Sequence, residues 1–308
     1  MNFFSLLIFI IFIVFSNSEL NAKIEIRYKV GNEIITNIDV SNEKDYLTFL
    51  RPNLNNLANN ELLKISEDSL IRDLIKKKEI NSVFKDVNNK TIIKEIEKTL
   101  FRFKNVKTKS EFLNLLKDTN IEYEKIVEKM KYEALWNELI FQKYNSLIKI
   151  DENKLRLELK AKISNNIKFE YNISELLFEV EKNENLNNKY EEILNFIKLN
   201  DFKTAASKYS IANSANIGGE IGWIKETLLS KNLNSLIGNL KKSEITNPIK
   251  YPTGYLLIKL NGKKEIKQSI NLDKELKELI NFEKNKQLNQ FSLLFYKKLK
   301  QNTKINEY

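Results

Sequence analysis

Any chemistry in this chain has to be done without histidine and without cysteine, because its 308 residues contain neither. That excludes the usual general base near neutral pH, the commonest metal ligand and every Ser-His-Asp arrangement. It also excludes disulfides, thiol nucleophiles and zinc–thiolate sites. Carboxylates, hydroxyls, lysines and backbone amides remain. Three stretches concentrate the informative residues: Ile173-Ser174-Glu175-Leu176-Leu177-Phe178, Ile217-Gly218-Gly219-Glu220-Ile221-Gly222-Trp223, and Gly254-Tyr255-Leu256-Leu257-Ile258-Lys259-Leu260. Gly218, Gly219, Gly222, Gly238, Gly254 and Gly262 are six of the chain's 7 glycines, and two of its 3 prolines lie among them. Glycine serves where the backbone needs φ > 0 or a very close approach, so tight turns cluster here.

The elements around these stretches form a compact α/β unit. Phe169 to Val180 is strand-like, Asn185–Leu199 is amphipathic, and Asp201 is a candidate N-cap for a helix reaching Tyr209. A glycine-rich loop spans Ala212 to Trp223, a short helix follows near Lys231–Leu240, and strands follow at Asn247–Ile249 and Gly254–Leu260.

Outside this unit the chain reads mainly as helix. Phe3 to Phe15 is nearly continuous hydrocarbon, the length of a signal-peptide core and short for a membrane span. Ser16, Ser18 and Ala22 offer cleavage positions, so 1–22 is expected to be a signal peptide and the folded part to lie outside the cytoplasm. An uncleaved anchor is the alternative. Lys23–Val30 alternates with period two and meets Gly31-Asn32 before Glu33–Thr36, which predicts a hairpin. A helix capped by Asn37 follows, then helices near Asp68–Lys78, Lys90–Phe103, Ser110–Thr119, Ile121–Ile148 and Glu152–Ala161. The long one is expected to bury Val127, Met130, Ala134, Phe141, Tyr144 and Ile148. Lys162–Lys168 reads as a linker. After Gln268, Leu272, Leu276, Leu279, Leu288, Phe291, Phe295 and Leu299 stripe a helix too apolar to stand alone in water. It is expected to dock on the N-terminal helices.

The formal net charge is +10. The lysines are interleaved with acids, as in Lys94-Glu95-Ile96-Glu97-Lys98, and form no basic stripe, so no nucleic-acid partner is expected. No cofactor and no metal are expected either.

Residues 172–262 resemble the parvulin type of peptidyl-prolyl isomerase. The resemblance rests on Glu175-Leu176-Leu177, on Asp201-Phe202-Lys203-Thr204-Ala205-Ala206-Ser207-Lys208-Tyr209-Ser210, on Gly218–Trp223 and on Gly254–Lys259, in order and spacing. The remainder is similar to the SurA family of periplasmic chaperones, through Val30–Val40 and the apolar C-terminal helix. The resemblance implies an α+β, multidomain protein. Its mainly helical N-terminal domain, 23–165, is completed by the C-terminal helix, 270–308, and a parvulin-like domain, 170–265, with an antiparallel sheet flanked by helices, is inserted between them.

Carried across residue by residue, the family's catalytic positions are mostly replaced. Its first-strand histidine falls on Glu175, its Cys or Asp on Ala212 and its later histidine on Leu256, while a hydroxyl is kept as Thr253. The apolar residues that hold the substrate proline fall on Ile221, Leu229 and Leu233, and Trp223 and Tyr255 join the implied substrate surface. Glu175 and Glu220 occupy unlike positions in the pattern and are expected to face solvent. The resemblance thus implies a periplasmic, ATP-independent chaperone for unfolded polypeptides such as outer-membrane β-barrel precursors, with isomerase activity weak or lost. An active parvulin using Thr253 and backbone amides is the alternative, and a membrane-held scaffold is a third.

Overall fold

The structure is a computed structural model that describes residues 23–85, 87, 90–163, 168–266 and 271–308. The apolar run Phe3–Phe15, its cleavage positions and the middle of the expected linker lie outside those residues. The chain opens with strands β1 (Ile26–Val30) and β2 (Glu33–Thr36). Helices α1 (Asn37–Leu50), α2 (Asn59–Val83), α3 (Lys90–Phe103), α4 (Lys109–Leu116), α5 (Tyr123–Tyr144) and α6 (Glu152–Ile163) follow. The α/β unit runs β3 (Lys168–Phe178), α7 (Leu186–Leu199), α8 (Phe202–Tyr209), β4 (Glu220–Lys225), α9 (Lys231–Gly238), β5 (Ile249–Tyr251) and β6 (Gly254–Ile266). Helix α10 (Leu272–Gln301) and strand β7 (Ile305–Glu307) close the chain. The architecture is α+β. No helix among the described residues is long and apolar enough to cross a membrane.

Local chemistry sets the element ends. The cap of α1 is Thr36 rather than Asn37, because Thr36 Oγ1 accepts from Asp39 N at 3.2 Å while Thr36 N donates to Asp39 Oδ2 at 2.8 Å. This reciprocal pair satisfies two donors that the helix start would leave open. Asn37 instead accepts from Glu25 N at 3.0 Å. Helix α5 buries Tyr123, Ile126, Leu135, Trp136, Leu139 and Ile140, and Phe141 is exposed. The expected stripe was displaced because α5 packs on α2, α3 and α10 from different sides.

Two antiparallel sheets form, ordered β2-β1-β7 and β4-β3-β6-β5. Strand β3 is central in the second, paired with β6 from Lys168↔Ile266 to Phe178↔Tyr255. Both of its faces are covered. Leu176 and Phe178 enter a layer with Ile193, Phe196 and Phe202, whereas Tyr171, Ile173 and Leu177 face Ile224, Leu229 and Ile237. The period-two alternation of a strand thus sorts its side chains into two separate layers.

Helix α10 ties the molecule together. At 30 residues it spans about 45 Å at 1.5 Å per residue. Leu276 and Leu279 pack on Leu159 of α6, and Phe295 stacks on Trp136 of α5 with ring centroids 5.6 Å apart. Trp136 Nε1 donates to Ser292 Oγ at 2.8 Å. Beyond the helix, β7 pairs with β1, an element too short to carry a sequence signal.

Candidate functional site

The segment after α8 is fastened to β3 by backbone and hydroxyl contacts. Asp201 caps α8 by accepting from Thr204 N at 2.6 Å. Ser210 Oγ accepts from Leu177 N at 3.1 Å, and Ile211 N donates to Leu177 O at 2.7 Å. A 3₁₀ turn, Asn213–Ile217, then leads into Gly218 and Gly219. Gly219 sits at φ +76°, its carbonyl accepts from Glu175 N at 2.8 Å, and a Cβ there would fall 2.2 Å from the Glu175 carbonyl oxygen. Only glycine fits this crossing of two chains.

The pairing of β3 with β4 then slips. Ser174 faces Glu220 and Ile173 faces Gly222, so Ile221 is an extra residue, next to Gly222 at φ +85°. This bulge re-aims the strand. It brings Ile221 to the same cavity as Ile224 and leaves Trp223 outside it.

That cavity is about 320 Å³. Ile221, Leu229 and Leu233 line it together with Ile173, Leu177 and Ile258. Glu175, Ala212 and Leu256, the residues that the resemblance sets at replaced catalytic positions, line it as well. The other predicted residues lie elsewhere. Thr253 is buried in the turn between β5 and β6 with its Oγ1 unpartnered, and does not line the cup. Trp223 is exposed, with the Lys264 ammonium 4.4 Å from its ring centre. Tyr255 has the opposite parity to Leu256 and packs on Phe178 in the other layer, at 5.9 Å between centroids.

Glu175 does not face solvent. It sits between Ile173 and Leu177 on a strand covered on both sides, so its parity sends it into the cup. Ser214 Oγ donates to its Oε1 at 2.8 Å. Burial raises its pKa above the ordinary carboxylate value, and the Ser214 hydrogen bond opposes the rise. Glu220 is exposed and pairs with Lys203 at 3.0 Å. Ser214 went unnoticed in the sequence because it lies in a polar turn with no periodicity.

Also unforeseen is the roof. Phe282, Lys286, Asn289, Gln290 and Leu293 of α10 line the open side of the cup. Gln290 Nε2 donates to Tyr251 Oη at 3.2 Å. At the near end Lys225 Nζ pairs with Glu275 and with Glu278, and Thr227 Oγ1 donates to Glu275 at 2.9 Å. The stripe on α10 announced a docked helix but not its partner, since apolar side chains dock on any complementary apolar surface. The sheet side of the cup sets the Ser214–Glu175 hydroxyl–carboxyl pair among apolar side chains, and the α10 side adds polar ones, Glu283, Lys286 and Gln290 among them. Among the described residues, no three His, Cys, Asp or Glu side chains converge as metal ligands would.

The family described as "Rotamase: PPIC-type PPIASE domain" matches residues 172–262. Chaperone SurA of Methylococcus capsulatus is 25% identical over 165 residues, 50% of this chain and 36% of that protein. Chaperone SurA of Pseudomonas aeruginosa is 38% identical over 64 residues, 21% of this chain and 15% of that protein. The matches thus span little more than a third, or less, of these relatives' length. A solved PpiC-type peptidyl-prolyl cis-trans isomerase domain is 25% identical, covering 32% of this chain and 93% of that one, with a TM-score of 0.28. The solved SurA-like chaperones PEB4 and Cj1289 of Campylobacter jejuni give 20% identity, 90% and 96% coverage and a TM-score of 0.29. Residues 172–262 thus match the parvulin-type domain family, and the chain that carries them is similar to SurA chaperones over part of its length.

Proposed function

We propose that this protein is an ATP-independent, periplasmic holding chaperone whose parvulin domain has kept its frame and its proline-sized cup but little isomerase power. The observation that carries this reading is the cup itself. Its apolar wall of Ile221, Leu229 and Leu233 is continuous, while Glu175, Ala212 and Leu256 stand where the family places proton-handling groups. Prolyl isomerisation has a barrier of about 20 kcal/mol, set by the amide resonance lost on twisting. Lowering it takes electrostatic groups aimed at the twisted amide in a water-poor pocket. A cup whose sheet side is apolar but for the Ser214–Glu175 pair binds a prolyl or aliphatic side chain better than it stabilises that twist.

The matched relatives are named chaperones, which supports unfolded polypeptides as clients. Outer-membrane β-barrel precursors, with alternating apolar residues, suit a protein that exposes Phe103, Leu113, Leu115 and Phe141 on its helices. In this reading 23–165 and 270–308 make one helical domain, the parvulin domain 170–265 is inserted in it, and 1–22 directs export. Light scattering of an unfolded barrel protein diluted from urea tests the proposal. Stoichiometric suppression is expected, and unaltered aggregation sinks it.

A working isomerase is the second reading, and one observation favours it. A carboxyl held toward its neutral form by burial can donate a hydrogen bond to a twisting amide. The catalytic hydroxyl would then be Ser214 rather than Thr253. Acceleration of proline-limited refolding that disappears in both Glu175→Gln and Ser214→Ala would establish that reading.

A further inference from the structure

A second, larger cavity of about 620 Å³ is walled by α1, α2, α3 and α5, with Asn216 and Ile217 of the turn after α8 on its lining. Leu47, Leu50, Ile92, Ile96, Leu100 and Met130 supply most of its wall. Phe103 and Ile217, both exposed, stand on its lining where it meets solvent. The acids that reach it are paired: Asp73 with Lys129 at 2.6 Å, Glu133 with Lys76 at 2.9 Å and Glu95 with Lys98 at 2.7 Å. Lys129 also pairs with buried Glu43.

The two arginines of the lining make no such close pair, although Glu43 acts on Arg51 and Asp68 on Arg72 through space. Arg51 is only 4% exposed, yet its one side-chain hydrogen bond runs from Nη1 to the Ala215 carbonyl at 3.1 Å, and its Nε is buried without a partner. Arg72 reaches only Ser69 Oγ, at 3.5 Å. Among the described residues neither guanidinium hydrogen-bonds a carboxylate. Burial first, then repulsion from Arg72, lowers the Arg51 pKa to about 10, which leaves it cationic at neutral pH. Two like charges thus line one cavity, and one of them is almost fully buried. A buried cation is stable only when an anion or a full set of acceptors meets it.

We propose that this cavity binds a single-chain anionic amphiphile, a long-chain carboxylate whose head lies between Arg51 and Arg72 and whose hydrocarbon runs along α1, α3 and α5. A carboxylate accepts from planar guanidiniums in a fork, which suits the two that line this cavity. Hydrocarbon suits the wall better than a peptide does. The walls are helices whose backbone groups are bonded internally, so the amides of an inserted peptide would go unpaired. An acyl chain has no such groups. The proposal stands apart from the chaperone reading, since it concerns a different cavity.

The test uses the purified full chain, delipidated and loaded with a dansyl-labelled undecanoate whose fluorescence reports burial. Dodecanoate is expected to displace the probe about 10-fold more effectively than dodecanol, the margin of one charge-assisted hydrogen bond. Arg72 is half-buried, so Arg72→Gln should fold. It is expected to weaken dodecanoate about 10-fold by the same margin and to leave dodecanol unchanged. Equal displacement by acid and alcohol overturns the proposal, as does an unaltered dodecanoate affinity in Arg72→Gln. So does displacement by an amidated apolar peptide but not by dodecanoate, which would make the cavity a peptide site.

Discussion

Glu175 is a buried carboxyl of the cup, and its environment gives it a pH signature. Burial raises its folded-state pKa above the unfolded value, so the native state holds the proton more tightly. Its contribution to stability is therefore fully present below the unfolded pKa and is lost as pH rises through the folded one. Glu175→Gln removes that loss while keeping an acceptor for Ser214. Urea unfolding is expected to show the variant equal to the parent near pH 4 and more stable than it at pH 7. A few residues away, Gly219→Ala meets both a left-handed backbone and the Glu175 carbonyl. The left-handed conformation alone costs about 1–2 kcal/mol, so a loss of at least about 2 kcal/mol in urea titrations is expected.

At the scale of elements, α10 joins the helical part to the parvulin domain. Its residues enter cores shared with α2, α5, α6 and the cup. Phe295→Ala removes a ring stacked on Trp136 and is expected to cost about 3 kcal/mol in chemical denaturation. Elements of this kind were the most legible part of the sequence: a long 3.6-residue stripe, an Asp201 cap and a glycine cluster each have one local cause. Less legible were features set by contacts distant in sequence. The parity of β3 puts Glu175 indoors only because α9 and α10 cover that face. Trp223 leaves the cup only because Ile221 is bulged, and Tyr255 only because β6 alternates between two filled layers. Thr253, attractive as a retained hydroxyl, sits in the turn that Gly254 makes. Ser214, the hydroxyl that does reach the carboxyl, belongs to a polar turn with no pattern to betray it.

Taken whole, the molecule lays one helix against the cup and joins that helix to an N-terminal array with exposed apolar side chains. A net charge of +10, the excess of basic over acidic side chains, favours solubility of such a surface. In the proposed reading, weak binding of many unfolded segments needs apolar area rather than chemistry. Refolding of a protein limited by a proline, whose slow phase lasts tens to hundreds of seconds, tests both halves of that account in one trace. With the chain added in stoichiometric amount, the refolded yield is expected to rise while the rate constant of the slow phase stays unchanged. A slow phase that quickens in proportion to added protein, with the yield unaltered, would contradict it.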